Sequence, residues 1–320
     1  MFAMFGVLFG ITIKKIDVKL WHKDVILYQV NDKDKSLIGY FAMDIYPRDG
    51  KFGHAMLSDV VVSHEVDYKS DECIAPFSCI VANFPTPNKK VPSLISLGEV
   101  ETLFHEFGHC LHVTLSRARI ESQSGANVAW DFVETPSQIM ENWVLDKEVM
   151  TYLSKHYKTG KKIPHDMVDK IIKGKKFLSA YSYIRQLMFS KLDLDLHTGK
   201  VHNAKKAWID MHKLYLGINV PEKDTLFPAG FGHLVGYDAG YYSYLWALVY
   251  ACDAFSLFKE ASIKDKKEGT RPAKRTREVG LKWRKEVLEK GSSEDEIKLV
   301  ENFLGRKSNQ KAFLKEVIGK

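Results

Sequence analysis

His105, Glu106 and His109 stand in the pattern H-E-x-x-H, inside the run Glu101-Thr102-Leu103-Phe104-His105-Glu106-Phe107-Gly108-His109-Cys110-Leu111-His112. Two imidazoles four residues apart on a helix lie one turn, roughly 6 Å, from each other and point the same way. That spacing suits a single zinc ion. Glu106 projects elsewhere on the helix, where a carboxylate can act as base toward a zinc-bound water without coordinating the metal. At about 100° per residue, Val100, Phe104, Phe107, Leu111 and Leu115 form one narrow apolar stripe, with His105 and His109 on the far side. One face therefore packs on a core and the other lines a cleft, a division that an exposed helix with scattered histidines would not need.

A catalytic zinc takes three protein ligands and keeps one position open. Glu134 is the preferred third ligand, and Glu121, Glu141 and Asp131 are the alternatives that spacing leaves open. Asp131, shortly before Glu134, and Glu101, one turn before His105, are placed to accept the second ring proton of a ligand histidine and so orient it. His112 shares the polar face but sits beyond the reach of an ion held by His105 and His109, which leaves it a hydrogen-bonding or packing role.

A second unusual run spans residues 231–246. Tyr237, Tyr241 and Tyr244 have i, i+4, i+7 spacing, which commonly means core packing. Beside them, Gly236 and Gly240 let a backbone approach a ligand, and the phenols with His233 are neutral donors suited to a developing oxyanion. Core and site are equally good readings of this run from the residues alone.

The elements that must position these groups are legible in outline. Residues 25–30 and 37–46 are β-rich runs joined by a polar turn, an economical hairpin, and residues 51–56 with 60–62 and 77–84 add further strand candidates. A strand close to the metal helix could hold an extended peptide by main-chain hydrogen bonds. Residues 1–13 are apolar but too short to span a bilayer, and Lys14 and Lys15 follow the apolar run instead of preceding it, so they read as a buried strand or helix end and not as a leader. Beyond Pro92 the chain turns helical. Ser96-x-x-Glu99 is a capping box before the metal helix, which should run to about Ser116, and helical patterns return at 130–156, 166–172, 177–196 and 204–216. Gly291 followed by Ser293-x-x-Glu296 predicts a helix stop and a newly capped start.

At 320 residues with 45% hydrophobic side chains the chain can bury a substantial core. Four cysteines without a C-x-x-C pair make no disulfide framework and favour a reducing compartment. Much of the +7 net charge lies in residues 259–285, a run without interleaved stacking aromatics, which reads as a solvated helical face and not as a nucleic-acid footprint. No membrane partner is expected either.

Taken together, His105-Glu106-Phe107-Gly108-His109, Asp131-Phe132-Val133-Glu134-x-Pro136-Ser137-Gln138, Glu141-Asn142-Trp143 and Gly236-Tyr237-Asp238-Ala239-x-Tyr241-Tyr242-x-Tyr244-Leu245-Trp246 resemble the thimet oligopeptidase and neurolysin family of zinc metallopeptidases. The likeness extends from Trp21-His22-x-Asp24-Val25 and Tyr46-Pro47-Arg48-x-Gly50-Lys51 to Phe303-Leu304-Gly305-Arg306, nearly the whole chain. It implies a mainly α fold with a small β-sheet near the N-terminus (1–91 sheet-containing, 92–320 helical), a zincin-like catalytic domain forming one wall of a deep channel. It implies one Zn2+ on His105, His109 and Glu134, Glu106 as base, and His233, Tyr237, Tyr241 and Tyr244 toward substrate, with Tyr244 the donor to the tetrahedral intermediate. Between His233 and Tyr237 the family pattern has a pair of glycines and this chain has only Gly236, so the loop is one residue shorter. Family members are much longer, with an N-terminal helical half. The resulting expectation is an endopeptidase for short oligopeptides. Its alternative is a truncated or split-enzyme fragment that binds peptide or a complementary N-terminal polypeptide. The cytosol is the expected compartment, and the mitochondrion the alternative.

Overall fold

A computed structural model describes residues 1–67, 72–221, 225–269 and 273–318. The chain opens with α1 (Phe2–Phe9) and β1 (Ile11–Ile16), then adds β2 (Ile26–Asp32), β3 (Leu37–Asp44), β4 (Met56–Val61) and β5 (Phe77–Val81). The apolar start is thus a helix, and Gly10 ends it in the left-handed conformation (φ 69°) that a side chain would disfavour. The strand order is β1-β2-β3-β5-β4. β1, β2 and β3 form an antiparallel meander that includes the expected hairpin, β5 runs parallel to β3, and β4 lies antiparallel to β5 at the sheet edge. β3 is buried on both faces, because α1 and the helix carrying His105 cover one side and a small cluster of Val25, Ala42 and Cys79 lies on the other. At its end Asp44 accepts from Arg48, Trp21 and Lys51, which together overcome its burial and hold the carboxyl well below the usual range. Lys51 also donates to the carbonyls of Asp44, Tyr46 and Ala82, so the Tyr46–Lys51 turn is locked to the sheet.

The helical part begins with α2 (Leu97–Leu115), capped as expected: Ser96 Oγ accepts from the Glu99 amide and the Glu99 carboxylate accepts from the Ser96 amide. Phe104, Phe107, Leu111 and Leu115 are buried, and the rings of Phe2, Phe5 and Phe41 pack against Phe104 and Phe107 at 5.4–5.7 Å. The expected helix at 130–156 divides into α3 (Glu134–Val144) and α4 (Lys147–Leu153), because Asp146 accepts from the Glu148 and Val149 amides and caps a second start. There follow α5 (His165–Lys176), α6 (Ser179–His197), α7 (Ala204–Met211), the short turns α8 (Phe227–Gly230) and α9 (His233–Gly236), the long α10 (Ser243–Glu268), α11 (Lys274–Trp283), α12 (Glu296–Leu304) and α13 (Lys311–Ile318). Ser293 does not cap α12. Ser292 is tied through its amide to the Gln123 carbonyl, so the helix starts later, with Asp295 accepting from Ile297 and Lys298, and Glu296 instead accepts from the Ala129 amide.

The basic run lies on helical faces with local partners: Lys266 pairs with Glu148, Arg275 with Glu268, and buried Arg284 with Asp32 and Glu289, while Arg271 falls outside the described residues. Besides the small Val25, Ala42 and Cys79 cluster, two larger apolar cores form among the described residues. The larger joins the sheet, α1, α2, α3 and parts of α10 to α12; the smaller joins α6, α7 and Tyr241.

α2 and α3 touch backbone to backbone at Gly108. A Cβ there would stand 2.5 Å from Ser137 Cα and 2.8 Å from the Pro136 carbonyl. Gly108→Ala therefore forces the two helices apart, and we expect a loss of about 1–3 kcal/mol, the usual range for overpacking, in urea denaturation of the metal-free chain. Metal affinity, followed by chelator competition, falls with it.

His112 is fully buried, and neither ring nitrogen has a hydrogen-bond partner among the described residues, so of the two roles expected for it the packing one holds. Burial pushes its imidazole down to about 3, with the nearby His109 adding in the same direction. The folded chain keeps this ring neutral while the unfolded chain protonates it near the ordinary value, so stability is lost as pH falls below about 6.5. Between pH 7 and pH 5 the metal-free chain should lose about 2 kcal/mol more than His112→Leu does, measured as urea midpoints at the two pH values.

Candidate metal centre

α2 presents His105 and His109 on the face opposite its aromatic stripe, one turn apart, with ring centroids separated by 4.9 Å. α3 presents Glu134 as its first residue. The local sequence favours that start: Pro136 falls in the first turn, where its missing N–H costs nothing, and a carboxylate at a helix N-terminus sits at the positive end of the dipole. Glu134 Oε2 lies 3.1 Å from His105 Nε2 and 3.2 Å from His109 Nε2. The three candidate ligand atoms all fall within 4.8 Å of one another. A tetrahedral ion with ligands at 2.0–2.2 Å separates neighbouring donors by roughly 3.3 Å, so this cluster fits a zinc-sized cation.

The residues around it set its charge. Ser137 Oγ donates to Glu134 Oε2 and to the Glu134 carbonyl, fixing the carboxylate's orientation. Burial acts to raise the Glu134 pKa, but the two imidazoles more than compensate and hold it well below the usual carboxylate range. Burial acts to lower that of His105, but hydrogen bonds to Glu134 and Glu141 hold it well above the ordinary histidine value. The centre thus has an ionised carboxylate facing a protonated imidazole, and a divalent cation can take the proton's place.

Glu141 carries the orienting role that the spacing had assigned to others. Its Oε1 sits 2.6 Å from His105 Nδ1. Glu101 turns instead to Lys175, and Asp131 accepts from the Tyr242 hydroxyl. Glu141, weighed as a ligand from sequence, was recognisable for this role: with Glu134 and Gln138 it makes an i, i+4, i+7 row along α3, the face turned to α2.

Glu106 is buried with its Oε2 unpartnered among the described residues. Burial raises its pKa, partly offset by His105 and His109 and by a hydrogen bond from the Leu57 amide on β4. A carboxylate so placed holds and releases a proton nearer neutrality than a solvated glutamate does.

The tyrosine run faces this cluster. His233 Nε2 lies 3.3 Å from the Tyr244 hydroxyl, so the shorter loop still brings the two together. The Tyr237 ring stacks on Tyr244 at 5.3 Å and meets Trp130 edge-on at 4.5 Å. Burial, then the charge of Glu134, raises the pKa of Tyr237 and of Tyr244, so both phenols are neutral donors, while burial lowers that of His233. Tyr241 differs: its ring is buried in the smaller core and its hydroxyl donates to Gln186, which makes core packing part of its role. Gly240 packs against Tyr237 and Trp130, whereas Gly236 has open space where a side chain would stand.

Sequence reasoning missed Asp193. This buried residue of α6 accepts from the amides of Ala239 and Tyr241 at 3.1 and 3.0 Å and so holds the tyrosine run in place, with Ala239 in the left-handed region (φ 56°). Its sequence signal is weak, an acid set among Met188, Phe189 and Leu192 in a helix that also carries Lys191 and Asp195.

Residues 1–318 match the profile of peptidase family M3. The chain belongs to that family. Oligopeptidase A of Escherichia coli (strain K12) is 37% identical over 316 residues, covering 96% of this chain and 44% of its own length. A thimet-like oligopeptidase of Dictyostelium discoideum is 35% identical over 305 residues, covering 93% and 43%. This M3 chain therefore spans less than half the length of these relatives. In fold it is similar to Trypanosoma cruzi metallocarboxypeptidase 1, with a TM-score of 0.56 at 13% identity over 87% of this chain and 56% of that one. The fold is thus shared with a chain of low sequence identity. Among the described residues no helix is long and apolar enough to cross a membrane.

Glu141→Gln keeps the size of the side chain but weakens its hold on the His105 ring. We expect roughly 10–100-fold lower zinc affinity in a chelator-competition titration, the range seen when such outer partners of ligand histidines are replaced. Zinc binding to the unaltered site should also release protons, seen as a dependence of the calorimetric heat on buffer ionisation enthalpy.

Proposed function

We propose that this chain is the catalytic part of a zinc-dependent endopeptidase that hydrolyses short peptides. The observation that carries the reading is Glu106, a buried carboxylate with a free oxygen beside the His105, His109 and Glu134 cluster. A zinc ion held by those three residues would supply a Lewis acid and lower the pKa of bound water to about 7. Glu106 takes the proton from the attacking water and passes it to the leaving amine. Tyr244 donates to the carbonyl oxygen as negative charge develops there, and His233 orients the Tyr244 hydroxyl. β4, at the sheet edge and carrying the Leu57 amide that reaches Glu106, offers its main chain to an extended peptide. Asp131, Glu101 and Gly236 stay outside the assigned chemistry. Short peptides in the cytosol are the proposed substrates, in keeping with four free cysteines, and neither nucleic acid nor membrane is a proposed partner.

A second reading has a specific observation behind it. Phe177, Leu214, Leu226 and Val235 are 77%, 78%, 78% and 84% exposed, a large apolar area for a self-sufficient surface. In that reading a complementary polypeptide covers these residues, and the isolated chain binds peptide without turning it over.

One experiment separates the two. Zinc content and cleavage of a quenched fluorescent short peptide are measured for the 320-residue chain and for Glu106→Gln. The variant should keep one equivalent of zinc and lose turnover by about 10²–10⁴-fold, the range for removing a general base. Equal turnover in both proteins would overturn the proposed role of Glu106. One equivalent of zinc with no turnover in the unaltered chain would favour the second reading.

A further inference from the structure

The backbone of the tyrosine run is tied to the rest of the molecule by one side chain. Asp193 Oδ1 accepts from the Ala239 amide and Oδ2 from the Tyr241 amide, and neither amide has another acceptor among the described residues. The neighbouring backbone bonds close within the run, from the Tyr237 amide to His233, from Gly240 to Tyr237 and from Ser243 to Gly240.

The Asp193 side chain is fully buried, and two amides supply only partial charges to a carboxylate that has lost its water. His197, one turn further along α6, supplies the rest. Its Nδ1 lies 2.9 Å from Asp193 Oδ1 and 2.9 Å from the Asp193 carbonyl. A ring nitrogen facing two acceptors keeps its hydrogen in either charge state, so the proton that His197 gains or loses sits on Nε2. The side chain is 29% exposed, and that proton exchanges with water. The bond to the Asp193 carbonyl, then the charges of Asp193 and of Asp238, hold the imidazole above the ordinary histidine value against partial burial. Asp238 belongs to the run itself, between Tyr237 and Ala239. Other charged groups nearby are engaged elsewhere or stand in solvent: Lys191 pairs with Asp195, Lys206 of α7 pairs with Asp210, and Lys200 is exposed. His197 makes no second ion pair among the described residues.

We propose that Asp193 and His197 form a latch on the tyrosine run, in which His197 is a positioning residue acting through Asp193 and the run docks more firmly while His197 carries its second proton. When the run leaves, Asp238 goes with it and Asp193 opens to water, so His197 returns toward its ordinary value of about 6.5. The proton is thus held more tightly in the docked arrangement. Its contribution to docking is complete below about pH 6.5 and is lost as pH rises through the raised value. The latch concerns where the run sits, and it stands without the peptidase reading.

Hydrogen exchange of the 320-residue chain in the presence of zinc, read by mass spectrometry over residues 237–242 and corrected for intrinsic exchange, tests it. Between about pH 6 and pH 8.5 protection should fall about two- to fivefold, the strength of a partly exposed ion pair. His197→Gln, which removes the titrating charge, should show the lower protection at both pH values. Asp193→Asn should lower protection about tenfold or more, the effect of losing a charged hydrogen bond. Adding His197→Gln to that variant should lower it no further, because the histidine acts through the carboxylate. Equal protection at the two pH values in the unaltered chain, the same fall in His197→Gln, or an undiminished further loss in the double variant would overturn the latch. His197→Gln changes a partly exposed position and decides the matter even where Asp193→Asn fails to fold.

Discussion

One carboxylate shared between two imidazoles sets the geometry of this molecule. Glu134 Oε2 must come within 3.2 Å of nitrogens carried by a different helix, and its own helix must begin at that point. Such closeness is possible only if the two backbones meet, which they do at Gly108, where the nearest atoms belong to Ser137 and Pro136. The aromatic packing on the opposite face of α2 then has a clear purpose: it holds the helix against α1 and β3 so that the pair of histidines cannot recede from Glu134. A small rotation of either helix would carry the ligand atoms apart faster than any side chain could follow.

Three glutamates within this neighbourhood occupy three different electrostatic situations. Glu134 is buried but faces two imidazoles, so it stays ionised. Glu106 is buried with weaker compensation, so its proton affinity rises. Glu141 is more exposed and holds an imidazole in place. Identical side chains thus acquire three different proton affinities and partners through burial and neighbours alone.

The parts of this arrangement that repeat with a helical or strand period were legible before any coordinates. The capping box, the stripe of α2, the hairpin and the H-E-x-x-H pair all follow from local spacing. Glu134 needed more than local spacing, because spacing preferred it but left Glu121, Glu141 and Asp131 open, and the resemblance was what narrowed the choice. Glu101 and Asp131 were misjudged because nearness in sequence says nothing about which cation or hydroxyl a carboxylate meets: Lys175 lies on α5 and Tyr242 just before α10, each far along the chain. The delayed start of α12 has the same origin, a loop bond from Ser292 to Gln123 that no periodicity records. Asp193 was invisible for a related reason, since one of two acids in a mixed helix is indistinguishable from its neighbour Asp195 until its two backbone partners are seen.

The two larger apolar cores divide the support of the candidate site. The ligand-bearing helices belong to the larger one, and Tyr241 with its Asp193 anchor belongs to the smaller, with α10 passing between them. Substitutions that reshape the smaller core reach Tyr241 without touching the packing that holds the candidate cation site. The tyrosine run and the His105, His109 and Glu134 cluster can therefore change independently of each other, because each rests on its own packing.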